Sequence, residues 1–149
     1  MPTVTRRRSV AAPRDEVWRL VSEPERLPAW WPAVTRVEDA TPHAWTTVMT
    51  SARGKTVRAD YTRDEFDPPR RVAWRQELDE SPFERILRES VTAVQLEPEG
   101  EGATTVALTL RHRGRGFGRF GYLQLRRAGA RQVEQALDNV EALFGRGPS

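Results

Sequence analysis

The feature that most constrains the fold is the amphipathic pattern near the end of the chain. Apolar residues recur there at three- and four-residue spacing: Val133, Ala136, Leu137, Val140, Leu143 and Phe144. This spacing predicts one long α-helix that begins near Phe120. Gly129 lies within it at a cost of about 1 kcal/mol relative to alanine, which suggests close packing or a slight bend. The apolar stripe of this helix needs a second layer to cover it.

The rest of the chain supplies that layer, because it alternates apolar and polar residues in segments separated by turns. Residues 3–10 form the first predicted strand, and six more segments follow: 34–40, 44–52, 55–66, 66–78, 84–98 and 100–113. Arg53-Gly54, Asp67-Pro68-Pro69 and the glycines at 100 and 102 are typical of hairpin turns. The pattern predicts an antiparallel sheet of about seven strands. Without repeats or a long linker, residues 1–149 are expected to form one domain.

Two short helices are predicted between the first strand and the others. In the first, residues 11–21, Pro13 suits a first helical position. Val17, Leu20 and Val21 share one face of that helix, which we expect to be buried.

The second short helix ends at a pair of tryptophans. Ser22 and Glu25 form an S-x-x-E capping box at its start. Pro32 disfavours helical geometry at Trp31, so the helix ends at Trp30 and Trp31. Each indole is a large apolar body with one N–H that needs a partner. The pair either fills the core or lines a place where another molecule packs.

Composition excludes several classes of chemistry. The chain has no cysteine, which excludes disulfides, thiolate metal sites and a cysteine nucleophile. Its two histidines, His43 and His112, lack the spacing of a metal site, so neither a metal nor a cofactor is expected. No segment reaches the roughly 18 apolar residues of a membrane span, and no apolar run follows the first arginines. These observations predict a cytoplasmic protein.

The basic residues leave two interpretations open. The net charge is +3, and Lys55 is the only lysine. Arginines cluster at 6–8, at 111–119 and at Arg126, Arg127 and Arg131, with glycines and phenylalanines between them in the second cluster. They are either a solvated arginine-rich surface or a face for nucleic acid or a membrane. The first interpretation is favoured, and nucleic acid is not expected as a partner.

The order of the elements and several short motifs resemble one known superfamily. The motifs are Ala12-Pro13, Val17-Trp18, Glu23-Pro24, Trp30 to Pro32, "DEFDPPRRVAW" and "TTVALTL". They resemble the polyketide cyclase/dehydrase and lipid-transport group of the START/Bet v1-like superfamily. The resemblance implies an α+β helix-grip fold, in which a curved sheet surrounds the long helix and leaves a cavity. It also places the tryptophan pair beside that cavity, with one indole structural and the other facing a ligand.

Candidate ligand-binding residues follow from the strand faces, the tryptophan pair and the helix stripe. They are Trp30, Trp31, Trp45, Met49, Tyr61, Trp74, Phe120, Val133 and Leu137. Arg88, Tyr61 and His112 are the candidates for acid–base chemistry. Neither face of residues 86–94 is purely apolar, so Arg88 or Glu89 could point into the cavity, where it would need a partner. For His112 the simpler interpretation is a polar residue at the rim.

Three functions remain open from the sequence. The preferred one is binding of a hydrophobic or amphipathic small molecule, such as a lipid, a polyketide-like compound or an isoprenoid, in the cavity. The alternative is an aromatase/cyclase-like or dehydratase-like enzyme, for which no motif can be matched position by position. The third is an interaction module that uses the basic surface.

Overall fold

A computed structural model describes residues 3–51, 53–81, 83–114 and 119–149, the side chains of residues 119 and 120 excepted. The strands are β1 (Thr3–Val10), β2 (Val34–Glu38), β3 (Ala44–Thr50), β4 (Thr56–Asp67), β5 (Arg71–Glu77), β6 (Leu87–Glu99) and β7 (Ala103–Gly114). The helices are α1 (Arg14–Ser22), α2 (Leu27–Trp30), which follows a 3₁₀ turn at Pro24–Arg26, and α3 (Arg119–Phe144). No helix within these ranges is long and apolar enough to cross a membrane.

The seven strands form one antiparallel sheet in the order β1-β7-β6-β5-β4-β3-β2. Hairpin connections make each of the strands from β2 to β7 a neighbour of the next, and β1 lies beside β7 at the far edge. With two short helices after β1 and a long helix after β7, this arrangement confirms the helix-grip fold predicted from the sequence.

The segment between β1 and β2 corrects two predicted details. Pro13 is the N-cap of α1, one position before the helix, with φ −64° and ψ 153°. Ser22 is the last helical residue of α1, and no side chain caps the turn that follows, so the predicted capping box is wrong. An N-cap residue needs non-helical backbone angles, which Ser22 does not have. Trp31 has extended geometry, which confirms that Pro32 ends α2.

Helix α3 covers only part of the inner face of the sheet. A Cβ atom added at Gly129 would lie 3.6 Å from Leu110 of β7 and 3.9 Å from Val4 of β1, so the helix packs over these two strands. One helix is about 10–12 Å wide and strands are about 4.8 Å apart, so it covers two or three of the seven. Val133 and Leu137, on the sheet-facing side of this helix, are fully buried. The remaining strands need another cover.

The segment that ends in the two tryptophans provides that cover. Trp30 is fully buried, and its backbone carbonyl accepts a hydrogen bond of 2.9 Å from Nδ2 of Asn139 on α3. This carbonyl lies at the end of α2, where no further helical turn supplies a donor. The bond therefore fixes α2 beside α3 above the sheet.

The chain after α3 returns to the edge of β1. The amide of Ala11 donates to the carbonyl of Gly145 at 2.9 Å, and the amide of Gly147 donates to the carbonyl of Ser9 at 3.1 Å. A Cβ atom at Gly147 would lie 2.1 Å from Oγ of Ser9, so only glycine fits here. This contact covers part of an otherwise open sheet edge.

Two leucines on α3 give a matched test of the buried face. We expect Leu137→Ala to lower the free energy of unfolding by about 2–5 kcal/mol, because its fully buried side chain leaves a void. Leu143→Ala on the same helix should change it by less than about 0.5 kcal/mol, because Leu143 is 53% exposed. Urea denaturation measures both values, and equal losses would contradict the helix orientation.

Gly129 allows the opposite change. Gly129→Ala should raise the free energy of unfolding by up to about 1 kcal/mol, because glycine is a poor residue inside a helix. The new methyl group would meet its neighbours at ordinary contact distances. Urea denaturation measures the change. A clear loss of stability would show that α3 approaches the sheet more closely than the 3.6 Å contact with Leu110 indicates.

Candidate functional site

A cavity of about 170 Å³ lies where the inner face of the sheet is not covered by α3. Four residues outside the strands form much of its cover: Leu27, Trp31, Phe83 and, from α3, Gln132. The apolar side chains from the strands are Val34, Met49, Trp74, Leu87 and Leu110. The space therefore lies between the sheet and the segment around the tryptophan pair.

Polar side chains form a row across the floor of this cavity. Tyr61 on β4 lies opposite Gln76 on β5, and Ser90 on β6 lies opposite His112 on β7. Residues opposite each other on paired strands project from the same face of a sheet. Thr47 and Thr92 add two further hydroxyl groups to the wall. Apart from Gln132, the cavity is thus apolar on its cover, and it is polar along part of its floor.

Two atoms on this wall lack hydrogen-bond partners. Among the described residues, no group pairs with the buried Oγ1 of Thr47 or the buried Nε2 of Gln76. The side chains are only 2% and 8% exposed, respectively. A buried polar group without a partner costs about 1–3 kcal/mol. Each of these atoms is therefore available for a hydrogen bond to a molecule inside the cavity.

The wall is uncharged at neutral pH. None of the described residues that line it is Asp, Glu, Lys or Arg. Burial raises the pKa of Tyr61 to about 12, so its phenol keeps the proton. Burial also lowers the pKa of His112 below its usual value of 6.5, which favours the neutral imidazole. Tyr61 can donate a hydrogen bond, and His112 can accept a proton.

Arg88 and Glu89 both lie outside the cavity, because β6 has a bulge at this point. The register shifts between Leu87 and Glu89, which leaves Arg88 as the extra residue on the bulged strand. Arg88 is exposed, and its proposed catalytic role has no support in this geometry. Glu89 pairs with Arg75 at 3.5 Å and with Arg111 at 2.8 Å. The bulge also turns Leu87 inward together with Ser90, which strict alternation does not predict.

The predicted ligand-binding residues divide into two groups. Trp31, Met49, Tyr61 and Trp74 line the cavity. Trp30, Trp45, Val133 and Leu137 do not, because they are buried in the core, the last two on the inner side of α3. The side chain of Phe120 lies outside the described residues.

The structure adds lining residues that the sequence reasoning missed. They are Leu27, Val34, Phe83, Leu87, Ser90, Thr92 and Gln132. Phe83 precedes β6 in a turn, since the amide of Leu87 donates to its carbonyl at 2.9 Å. The predicted strand began at residue 84, so its alternation made no prediction about the side chain of residue 83. Gln132 is next to the apolar stripe of α3, and only the position of the helix over the sheet identifies it.

The two tryptophans at the end of α2 have different environments. Trp30 is fully buried, whereas Trp31 lines the cavity. Their rings meet edge to face with centroids 5.4 Å apart, and both lie within 6.3 Å of the ring of Trp74. Nε1 of Trp30 has no hydrogen-bond partner in the described part of the chain. The aromatic cluster thus reaches from the core to the cavity wall.

The arginine clusters have different surroundings. Arg6 and Arg8 of the 6–8 cluster pair with acidic residues of α3, among them Glu134 at 3.4 and 3.1 Å. Arg126, Arg127 and Arg131 are exposed. Residues 115–118 of the second cluster lie outside the described ranges.

In the described ranges, no group of three His, Asp or Glu side chains could hold a metal ion.

Comparisons with known proteins agree with this architecture. The family model for polyketide cyclase/dehydrase and lipid transport matches residues 1–145. The chain is 25% identical to BexL, a di-domain aromatase/cyclase of the BE-7585A biosynthetic pathway, with a TM-score of 0.80 over 95% of this chain and 46% of that one.

Two further solved structures share the fold. The Zhui aromatase/cyclase from Streptomyces sp. R1128 is 21% identical, with a TM-score of 0.72 over 95% and 92% of the two chains. A START superfamily protein from Mycobacterium smegmatis is 13% identical, with a TM-score of 0.76 over 95% and 96%. A search of the curated proteins finds no significant match. The chain belongs to the polyketide cyclase/dehydrase and lipid transport family.

Proposed function

We propose that this protein binds an apolar or amphipathic small molecule in the cavity between the sheet and the tryptophan segment. The observation that carries the proposal is the combination of open space with Thr47 Oγ1 and Gln76 Nε2, both buried and without partners. Protein interiors are normally packed to the density of organic crystals and pair their buried polar groups. A wall of aromatic side chains with a few convergent polar groups is typical of a small-molecule site.

An aromatase/cyclase-like activity is the second candidate, and His112 and Tyr61 favour it. A neutral imidazole can remove a proton from carbon next to a carbonyl group. A protonated phenol can donate a hydrogen bond to the oxygen on which negative charge develops. Both side chains line the same cavity. The similarity to BexL and Zhui, which are described as aromatase/cyclases, supports this candidate.

Cavity filling tests the binding site. Thr92→Phe should weaken binding of the neutral two-ring dye 1-naphthylamine at least tenfold, because Thr92 lines the cavity and a phenyl ring would occupy much of its 170 Å³. Isothermal titration calorimetry gives the dissociation constant. Native mass spectrometry of the purified protein complements it, since a bound ligand adds a mass that is lost on denaturation.

Thr109→Phe is the matched control for this experiment. Thr109 lies between the inward-facing Leu108 and Leu110, and its Oγ1 lies 3.0 Å from that of Thr5. Its side chain is therefore on the outer face of the sheet, away from the cavity. The dye should bind this variant as tightly as it binds the wild type. Equal weakening in both variants would contradict a ligand site in this cavity, and so would a wild type that binds neither this dye nor 1-tetralone.

His112 also predicts a pH dependence of stability. The unfolded chain takes up a proton at this imidazole near pH 6.5, whereas the folded protein does so only at lower pH. The unfolded state then binds more protons, so the free energy of unfolding falls as the pH drops through this range. In urea denaturation, His112→Gln should reduce the loss of unfolding free energy between about pH 7.5 and about pH 5.5.

His43→Gln is the control, because His43 is exposed and is the other histidine of the chain. This variant should keep the fall of the wild type between the two pH values. If the two variants behave alike, His112 is not held in its neutral form by the fold.

A further inference from the structure

We propose that the cavity is specific for a compact, uncharged molecule of one or two rings with a hydrogen-bond-accepting oxygen such as a carbonyl, rather than for an extended acyl chain. This inference rests on the proposed function, since it names the class of ligand for the same site. Four properties of the cavity lead to it: its volume, its unpartnered polar atoms, the absence of charged side chains among its described lining residues, and its aromatic walls.

The volume limits the size of the ligand. An apolar cavity of about 150 Å³ accommodates one benzene molecule. Pockets that enclose drug-sized ligands are larger, at about 300–1,000 Å³. At about 170 Å³, the present cavity has room for one substituted ring or two small fused rings. A long chain or a multi-ring compound would have to displace part of the wall.

The unpartnered atoms specify the polar group of the ligand. Nε2 of Gln76 can only donate a hydrogen bond, and the hydroxyl of Thr47 can donate one as well. Both donors therefore call for a hydrogen-bond acceptor, such as a carbonyl oxygen, on the ligand. A pure hydrocarbon would occupy the same space but leave both atoms unpaired, and it would lose the corresponding affinity.

The described lining residues carry no charged side chain, which disfavours ionised ligands. A carboxylate that entered the cavity would lose its hydration and find no Lys or Arg among the described lining residues. His112 favours its neutral form at pH 7, because burial lowers its pKa. A fatty acid therefore has neither the room nor the counter-charge that it needs.

The aromatic walls of the cavity favour a ring over a flexible chain. Trp31 and Trp74 both line the cavity, and their ring planes are inclined at 77° with centroids 6.3 Å apart. Such walls present flat faces and edges to which another ring packs with little loss of conformational freedom. A flexible chain would lose rotamer freedom at each bond that it orders.

Probes with ten carbon atoms each test these properties separately. They are 1-tetralone, which has two rings and a carbonyl, tetralin, which lacks the carbonyl, 1-decanol and decanoate. We expect calorimetry to show that 1-tetralone binds at least tenfold more tightly than tetralin, 1-decanol and decanoate. The comparison of 1-tetralone with tetralin measures the carbonyl, its comparison with 1-decanol measures shape, and the comparison of decanoate with 1-decanol measures charge.

Two variants assign the carbonyl preference to its donors. Gln76→Leu and Thr47→Val should each reduce the preference for 1-tetralone over tetralin to about threefold or less, while tetralin binding stays unchanged. Thr46→Val is the matched control, because Thr46 is on the same strand but directs its hydroxyl to Asp60, at 2.6 Å. This control should keep the full preference.

Stability distinguishes a binding role of Thr47 from a structural one. Thr47→Val removes a buried hydroxyl without a partner, so the unfolding midpoint of the ligand-free protein should stay the same or rise. A clear fall in the midpoint would show that the hydroxyl serves the fold, and would overturn its assignment to a ligand.

The remaining outcomes separate this inference from the proposed function. If tetralin equals 1-tetralone, or 1-decanol or decanoate binds more tightly than 1-tetralone, the inference on ligand class is wrong and the cavity remains a binding site. If the neutral dye and all four probes fail to bind the wild type, both the inference and the proposed function are overturned.

Discussion

The pairing register of the antiparallel sheet determines which side chains face the cavity. Side chains alternate between the two faces of a strand, so a shift by one residue would turn a whole strand inside out. Tyr61 opposite Gln76 and Ser90 opposite His112 place four polar groups on the inner face. Helix α3 covers only the edge of this face that includes β1 and β7. The register and the limited width of one helix together leave an open, partly polar space.

The sequence was sufficient for the fold but not for the full wall of the cavity. The helical period near residue 137 and the alternation along the strands are local signals, and they predicted the helices and the sheet. Alternation also predicted that Met49, Tyr61 and Trp74 face inward. The bulge at Arg88 depends on how β6 pairs with β7, and no local pattern reveals it. The distinction between Trp30 and Trp31 likewise depends on tertiary packing, because both follow the same helical turn.

The cavity conflicts with the stability of the ligand-free fold. Atoms that line an empty space lose favourable packing contacts. The unpartnered atoms of Thr47 and Gln76 are also unfavourable unless water or a ligand reaches them. Other parts of the molecule offset this cost through dense packing, as around Val133 and Leu137. The bond from Asn139 to the carbonyl of Trp30 holds the cover in place without filling the space below it. Such local costs are characteristic of functional sites in otherwise consistent structures.

The tryptophan cluster gives this protein a spectroscopic property of its own. Trp30, Trp31, Trp45 and Trp74 form a continuous set of ring contacts, with centroids 5.4–6.3 Å apart. Indoles held in fixed, asymmetric packing contribute to the near-ultraviolet circular dichroism. A compact state with intact strands but loosened side chains would lose this signal and keep its far-ultraviolet spectrum. Because Trp31 and Trp74 of this cluster line the cavity, the signal reports, without any added label, whether the packing there is native.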